Sequence, residues 1–209
     1  KNRNGVMLVE SNLAEIYKIK GNWQETKDYL TSILAYDKER KSQDAAAIDY
    51  INIAHLEYLK HNEAGAREYL QKALELFEDR KNAAGIIECG LLNLKLTYLF
   101  QGTLPAHKEY SLLPSDFPGK YRAQMTHDQE LLFSLFDMLM PREKQGSRQP
   151  HLADRVKEMI EQIESRLLRF EILSLWILAG SPGKTALLEL LKSLSMQLSR
   201  KNRNYYFYE

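Results

Sequence analysis

The stretch that decides the fold is NLAEIYKIKG at residues 12–21, because it returns as NIAHLEYLKHN at 52–62 and as NLKLTYLFQG at 93–102. Each copy opens on an asparagine followed by an apolar residue, and the copies are spaced by 40 and 41 residues. Apolar residues recur within each copy at three- and four-residue steps, the spacing of an amphipathic helix. An amide that returns at one phase of such helices predicts a row of hydrogen-bonding groups on a shared surface. The leading asparagines are Asn12, Asn52 and Asn93.

Two units of two helices each follow from aligning residues 7–40 with residues 47–80, which superposes the apolar positions. Gly21-Asn22 supplies a helix stop and an asparagine cap, and Glu25 follows three residues later, as in a capping box. His61-Asn62-Glu63 gives the same signal in the second unit. The predicted helices span about 5–20, 23–38, 42–60 and 63–79.

The rest of the chain follows a less regular helical pattern. A third unit, 82–112, keeps its first helix at 85–101, whereas Pro105 and Pro114 cut its second helix short. Further on we predict a loop at 113–120, a helix at 126–140, a polar connector at 141–151, a long helix at 152–179 and another to about 199. Because no alternating strand pattern occurs, the predicted fold class is all-α. The expected organisation is repeats at 1–112, an insertion of loop and helix at 113–149, and a degenerate helical hairpin at 150–209.

Composition excludes several functional classes. The 209 residues carry a formal net charge of +1, which gives no electrostatic footprint for nucleic acid. The basic clusters at 1–3 and 200–203 are accordingly interpreted as solvated helix ends. The longest nearly uncharged stretch, 172–182, is about half of what a bilayer requires, so no membrane contact is predicted. A single Cys89 excludes an intramolecular disulfide and fits a reducing, cytoplasmic setting. The apolar run at 205–208 leads us to expect a piece excised from a larger protein.

The repeated units resemble tetratricopeptide repeats in their longer, forty-residue variety. Leu13-Ala14, Tyr17, Gly21, Trp23, Leu30 and Ile33 fill the small and large positions of that family, and Ala66, Leu70 and Ala73 do so in the second unit. Two departures are Thr26, where the family usually has alanine, and Glu57, where it has an aromatic residue. The resemblance covers 5–102 well and 150–200 weakly. It implies an α-α superhelix of helical hairpins whose first helices line a concave face.

In that family the concave face binds proteins or peptides, and the asparagine row resembles the asparagine ladders of peptide-binding members such as kinesin light chains. The resemblance therefore implies a protein-binding or peptide-binding scaffold. Arrays of this length occur in transcriptional regulators and signal-transducing ATPases, which implies the regulatory or sensory part of a larger signalling protein. The implied peptide-binding residues are Asn12, Asn52, Asn93, Glu15, His55, Ile48, Tyr58 and Leu96.

Two alternatives stay open at this point. Each asparagine amide can instead bond to the adjoining helix, and residues 103–149 can fill the groove. The apolar faces of the array can also join copies of the parent protein, which would make it a self-association module and a homo-oligomer.

No pattern indicates catalysis, a cofactor or a metal. Gly180 to Thr185 resembles the tail of a phosphate-binding loop, but Leu178 stands where the first glycine belongs and no strand leads in. The five histidines are scattered, and none has a metal-ligand spacing to another histidine or to Cys89. We therefore expect a binding protein and not an enzyme. The histidines are His55, His61, His107, His127 and His151.

Overall fold

The structure is a computed structural model that describes residues 3–101, 117–139 and 152–164, together with residues 169, 172 and 173. These residues are helical or lie in turns, and no strand occurs among them, which confirms the all-α class. They belong to two compact units that divide within one helix, between Leu92 and Asn93. The predicted boundaries at residues 112 and 149 lie outside the described residues.

The first unit is built from helices of equal length joined by three-residue turns. The first four helices have 17 residues each, so every helix with its turn takes 20 residues and every pair takes 40. Consecutive helices pack on each other: α1 on α2, α2 on α3 and α3 on α4. The helices are α1 (Arg3–Ile19), α2 (Trp23–Glu39), α3 (Gln43–Leu59), α4 (Glu63–Asp79) and α5 (Ala83–Gln101).

Each turn contains one residue with positive φ, and these residues recur every 20 positions. They are Gly21 (φ 72°), Lys41 (56°), His61 (56°) and Lys81 (54°). The same two hydrogen bonds close every turn; at the first, the Gly21 N–H donates to the Lys18 carbonyl and the Asn22 N–H donates to the Tyr17 carbonyl. This is the Schellman arrangement, which satisfies the last carbonyls of a helix. The repeat is therefore 40 residues long in backbone geometry as well as in sequence.

The last residue of each turn is the N-cap of the next helix, and in two of the turns its side chain makes a capping hydrogen bond. The Asn62 Oδ1 accepts a hydrogen bond from the Gly65 N–H at 3.2 Å, and the Asn82 Oδ1 accepts one from the Gly85 N–H at 3.1 Å. The prediction of an asparagine cap is thus confirmed at Asn62. At Asn22 it is wrong, because this side chain makes no capping bond and only the backbone closes the turn.

Small side chains at the helix contacts let the backbones approach closely. Ala54, Ala66 and Ala73 have no exposed surface, and larger side chains such as Leu56 and Leu70 are equally buried beside them. Thr26 occupies the position equivalent to Ala66, and its hydroxyl donates to the Asn22 carbonyl at 2.9 Å, so the buried oxygen is satisfied.

The second unit contains three further helices among its described residues. They are α6 (Phe117–Tyr121), α7 (His127–Leu139) and α8 (Leu152–Gln162), with a 3₁₀ turn at Arg122–Gln124. The prediction of a loop at 113–120 is wrong for residues 117–120. These residues form a short helix whose Phe117 is 1% exposed and packs on Phe133 of α7, with ring centroids 5.4 Å apart.

The predicted helix at 126–140 is confirmed over His127–Leu139, and residue 140 lies outside the described residues. A reciprocal capping box begins it: the Thr126 N–H donates to the Gln129 side chain at 2.8 Å, and the Gln129 N–H donates to the Thr126 hydroxyl at 3.3 Å. In contrast, the prediction of one continuous helix over 152–179 is wrong, because α8 ends at Gln162. There the Glu164 N–H donates to the Asp128 carboxylate of α7 at 2.8 Å. A contact between distant parts of the chain thus replaces the next helical hydrogen bond.

Candidate functional site

The first helix of each repeat in the first unit carries an exposed face that combines apolar side chains with an amide. On α1 it consists of Leu8, Asn12 and Glu15, and on α3 of Ile48, Asn52 and His55; we call these six residues the amide face. Leu8 is 65% exposed and Ile48 is 53% exposed, and both asparagines are exposed. The three positions on α3 are the three on α1 displaced by 40 residues, so the two helices present the same pattern in the same register.

Asn93 does not continue this pattern. The turn at Lys81 keeps the 40-residue period, so the position equivalent to Asn12 and Asn52 is Leu92. The extra residue in the sequence spacing rotates Asn93 by about 100° around its helix. Asn93 therefore occupies the position equivalent to Ile53, where it is 4% exposed. The expectation of three exposed asparagines in one row is corrected to two.

Tyr58 and Leu96 are also absent from the accessible surface, since they are 5% and 0% exposed. Tyr58 instead lies beside the amide face, where its ring stacks on His55 with centroids 5.6 Å apart and an angle of 12° between the planes. A buried ring at this position orients the imidazole. Of the eight residues implied by the resemblance, the accessible ones are thus Asn12, Glu15, Ile48, Asn52 and the half-buried His55.

A buried carboxylate lies on α3, the helix that carries half of the amide face. The Glu57 side chain is 1% exposed, and it accepts hydrogen bonds from the Lys27 Nζ at 2.7 Å and the Asn62 Nδ2 at 2.8 Å. Lys60 lies 3.3 Å away. Burial by itself raises the pKa of Glu57, but the hydrogen bonds from its three partners outweigh burial, so the pKa is lowered from its ordinary value. Glu57 is consequently ionised at neutral pH and ties α2 and α3 to the turn before α4.

In the sequence, Glu57 stands out only because it occupies a position where an aromatic residue is expected. Its equivalent in the first repeat is Tyr17, which stacks on Tyr29 with centroids 5.7 Å apart. A lysine at position 27 and an asparagine at position 62 were the available signals. They lie 30 residues before and five residues after Glu57, so only the folded chain brings all three together.

A second buried acid lies where α2 meets α3. Asp49 is 6% exposed and hydrogen-bonds to Asp37, and its Oδ2 has no hydrogen-bond partner among the described residues. Burial, with the neighbouring Asp37 carboxylate as a further cause, raises the pKa of Asp49 to about 7. Two carboxyl groups at hydrogen-bond distance share a proton readily and ionise together only with difficulty. We call Asp37 and Asp49 the carboxyl pair.

A pocket of about 530 Å³ adjoins the carboxyl pair, with Asp37 in its wall. Three lysines and three carboxylates line it, so it has no net preference for anions or cations. The Lys38 Nζ lies 5.1 Å from the centroid of the Tyr50 ring, and Lys72 donates to Glu68, so these two lysines already have partners. The charged lining residues are Lys38, Lys41, Lys72, Asp37, Glu75 and Asp79.

The remaining candidate groups give no further site. Cys89 is 1% exposed, and burial raises the pKa of its thiol to about 12, so it is a protonated core residue at neutral pH. His107, His151 and the segment from Gly180 to Thr185 lie outside the described residues. Within the part of the chain that the structure describes, no group of three or more His, Cys, Asp or Glu side chains could hold a metal ion.

One described helix passes the length and composition test for a membrane span. It is the segment Ala83–Phe100 of α5, with a mean hydropathy of 1.3, and 56% of it is buried inside the protein. Glu88 and Lys95 interrupt this stretch, so it is not the longest uncharged run in the sequence. Core helices of soluble proteins pass the same test, so this helix is weak evidence for a membrane.

Comparison with protein-family models, with curated proteins and with solved structures finds no match for this chain.

Proposed function

We propose that this chain is a protein-binding or peptide-binding scaffold, and that the amide face is where it contacts its ligand. Its setting in this proposal is the regulatory or sensory part of a larger signalling or transcription-regulating protein. That setting rests on the resemblance of the sequence to long tetratricopeptide repeats, an analogy of fold.

The observation that carries the proposal is the repetition of one exposed pattern on two helices. Leu8 and Ile48 hold a large part of their surface in water at equivalent positions, each four residues before an exposed asparagine. Exposed apolar side chains that cluster beside polar groups are typical of interaction sites. An asparagine amide donates and accepts at once, so it can pair with both the carbonyl and the N–H of a peptide backbone.

In this proposal the amide and the apolar side chains of the amide face contact different parts of the ligand. Asn12 and Asn52 bond to peptide backbone and therefore contribute affinity that is independent of sequence. Leu8 and Ile48 contact apolar side chains of the ligand and supply selectivity, because burying them favours aliphatic or aromatic partners. The preferred ligand in this proposal is an apolar peptide segment with few charges.

The test begins with a random peptide library displayed on phage, selected against the full chain. We expect Asn52→Ala to abolish binding of the selected peptides and to lower the melting temperature by no more than a few degrees, because the side chain is exposed. The matched control is Asn22→Ala. It removes the same amide from an exposed position that makes no capping bond, and it should leave affinity unchanged.

Peptides whose affinity by calorimetry is the same for wild type and for Asn52→Ala would contradict the proposed role. A second candidate, self-association, is favoured by a different exposed surface on α1, where Val6 and Val9 are 51% and 56% exposed. Sedimentation separates the two candidates, since dimers that form with rising concentration support self-association.

A further inference from the structure

Helix α1 carries a second exposed apolar surface, on a different side from the amide face. Val6 is 51% exposed, Val9 is 56% exposed and Ile16 is 45% exposed. Leu13, at intermediate exposure, lies between them in the helical pattern. We call Val6, Val9, Leu13 and Ile16 the α1 stripe. Its residues follow at three- and four-residue steps, so they form one continuous row along the helix.

The 40-residue repeat identifies what covers this row elsewhere. The equivalent residues on α3 are Ala46, Asp49, Ile53 and Leu56, and none of them is more than 6% exposed. Helix α2 is the element that packs on this side of α3, where Asp37 bonds to Asp49 and Lys38 lies over Tyr50. The same row is thus covered by the second helix of a hairpin in one case and exposed in the other.

The contact between α4 and α5 shows which kind of side chain can pack on this row of residues. On α5 the equivalents of Gly5, Val6 and Val9 are Gly85, Ile86 and Cys89, and the last two are at most 4% exposed. The Phe77 ring of α4 lies so close to Gly85 that a Cβ there would approach it to 2.3 Å. Glycine is therefore required for the ring to fit, and α1 has glycine at the same position.

The sequence before α1 supports the same equivalence. Residues 1–5 read KNRNG, and residues 81–85, which contain the turn and cap that lead from α4 into α5, read KNAAG. The lysine, asparagine and glycine that serve the α4–α5 turn are repeated in order. The residues that lead into α1 thus have the same pattern as those that lead into α5, on which Phe77 of α4 packs.

A buried carboxylate oxygen lies at the edge of the α1 stripe. One carboxylate oxygen of Glu10, Oε2, is buried without a hydrogen-bond partner among the described residues. Its equivalent on α3 is Tyr50, over which the Lys38 Nζ lies at 5.1 Å. A basic side chain that lies over α1 as Lys38 of α2 lies over α3 would therefore be close to Glu10 and would satisfy this oxygen.

We propose that the α1 stripe binds the second helix of another hairpin of this 40-residue kind, which lays an aromatic ring over Gly5 and Val9 and a basic side chain beside Glu10. The partner helix covers α1 as α2 covers α3. This surface is separate from the amide face, so both can be occupied at once.

The test appends a second copy of residues 42–82, the hairpin of α3 and α4, directly before Arg3 of the chain, with Glu78→Lys in the copy because residue 78 is the equivalent of Lys38. The copy ends in Lys-Asn and so recreates the sequence that precedes Arg3. We expect the amide protons of α1 to exchange about tenfold more slowly in the extended protein, and its melting temperature to rise.

Two matched substitutions on neighbouring residues show whether the appended hairpin binds to the α1 stripe or to the amide face. Val9→Glu in the extended protein should restore fast exchange in α1, because it places a charge in the contact. Leu8→Glu should leave the slow exchange in place, because Leu8 belongs to the amide face although it is equally exposed. Both residues are exposed in the unextended chain, so neither substitution should lower its melting temperature, which verifies that the variants fold.

A third substitution, Phe77→Ala in the appended copy only, should reverse most of the protection, since it removes the aromatic ring. The proposal is overturned if the appended hairpin leaves exchange in α1 unchanged, or if Leu8→Glu and Val9→Glu act alike. It is also overturned if sedimentation shows that the unextended chain dimerises and Val9→Glu dissociates the dimer, because the occupant is then a second copy.

Discussion

Glu57 is a buried carboxylate that joins α2, α3 and the turn before α4 in the first unit. Its carboxylate is buried and holds three partners, whereas Tyr17 fills the equivalent position of the first repeat with an aromatic ring. Asn62 connects this cluster to α4, because its Nδ2 donates to Glu57 while its Oδ1 caps the Gly65 N–H. Gly65 permits this arrangement, since a Cβ there would lie 2.5 Å from the Asn62 Nδ2.

We predict that Glu57→Ala lowers the free energy of unfolding by about 3 kcal/mol, because removing one partner of a buried ion pair leaves the others without compensation. Urea denaturation monitored by circular dichroism measures the change. The control is Glu68→Ala, which removes a carboxylate that is paired with Lys72 but largely exposed, and it should cost about 0.5 kcal/mol or less. Equal costs for the two substitutions would contradict a structural role for the buried cluster.

The amide at position 93 shows why a residue pattern alone misplaces a side chain. The sequence matches Asn93-Leu94 to Asn52-Ile53, but the structure matches Asn93 to Ile53. A difference of one residue in spacing is small in an alignment and large on a helix, where it moves a side chain by about 100°. Backbone register, set by the turn at Lys81, decides which side of the helix is buried.

At the scale of the elements, the four turns are the most regular feature of the first unit. One position of each turn is left-handed, yet only Gly21 is a glycine there, while Lys41, His61 and Lys81 hold the same conformation. A side chain in this region costs about 1 kcal/mol, because its Cβ crowds the following carbonyl. The helices nevertheless end at these residues, since two backbone hydrogen bonds close every turn.

We predict opposite effects from reciprocal substitutions in these turns. Gly21→Ala should lower the free energy of unfolding by about 1 kcal/mol, and Lys41→Gly should raise it by a few tenths of a kcal/mol to about 1 kcal/mol. Thermal denaturation followed by circular dichroism checks both. The control is Gly119→Ala, in a helix where a Cβ meets no atom within 4 Å, and it should not destabilise the protein. A destabilising Lys41→Gly would mean that the lysine side chain does more than tolerate the turn.

Most helices could be predicted from the sequence because their signals are local. Apolar spacing, a glycine stop and capping residues place helices at 5–20, 23–38, 42–60 and 63–79, within two residues of the observed bounds. The end of α8 could not be predicted in this way. After this helix the Glu164 N–H donates to the Asp128 carboxylate of α7 and not to a helical carbonyl, and that contact depends on packing between α7 and α8.

At the scale of the whole first unit, we expect the carboxyl pair to make stability depend on pH. The residues equivalent to Asp37 and Asp49 on α4 and α5 are Phe77 and Cys89, which are both buried, so two acids occupy positions that are apolar one repeat later. The pKa of Asp49 is about 7 in the folded protein, and the ordinary value of an aspartate applies in the unfolded chain. Between these two values the folded state holds a proton that the unfolded state has released.

We predict that the first unit loses stability as pH rises from about 4 to about 7, because in this range the unfolded chain binds fewer protons than the folded chain. The contribution is fully present below the unfolded pKa and is lost as pH passes the folded pKa. Asp49→Asn, which cannot ionise, should flatten the profile of melting temperature against pH and raise stability at pH 8. A profile that is the same in wild type and Asp49→Asn would show that the pair does not titrate in this way.

The sequence by itself determined the all-α class, the 40-residue period and the positions of the helices in the first unit. These properties depend on interactions between residues a few positions apart, such as apolar spacing, capping and turn chemistry. Tertiary structure alone decided that Asn93 is buried while Asn12 and Asn52 are exposed, and that Glu57 meets Lys27. It also decided that α8 stops at Gln162. Each of these outcomes depends on which distant helix covers a given side, and that neighbour is established only when the helices pack.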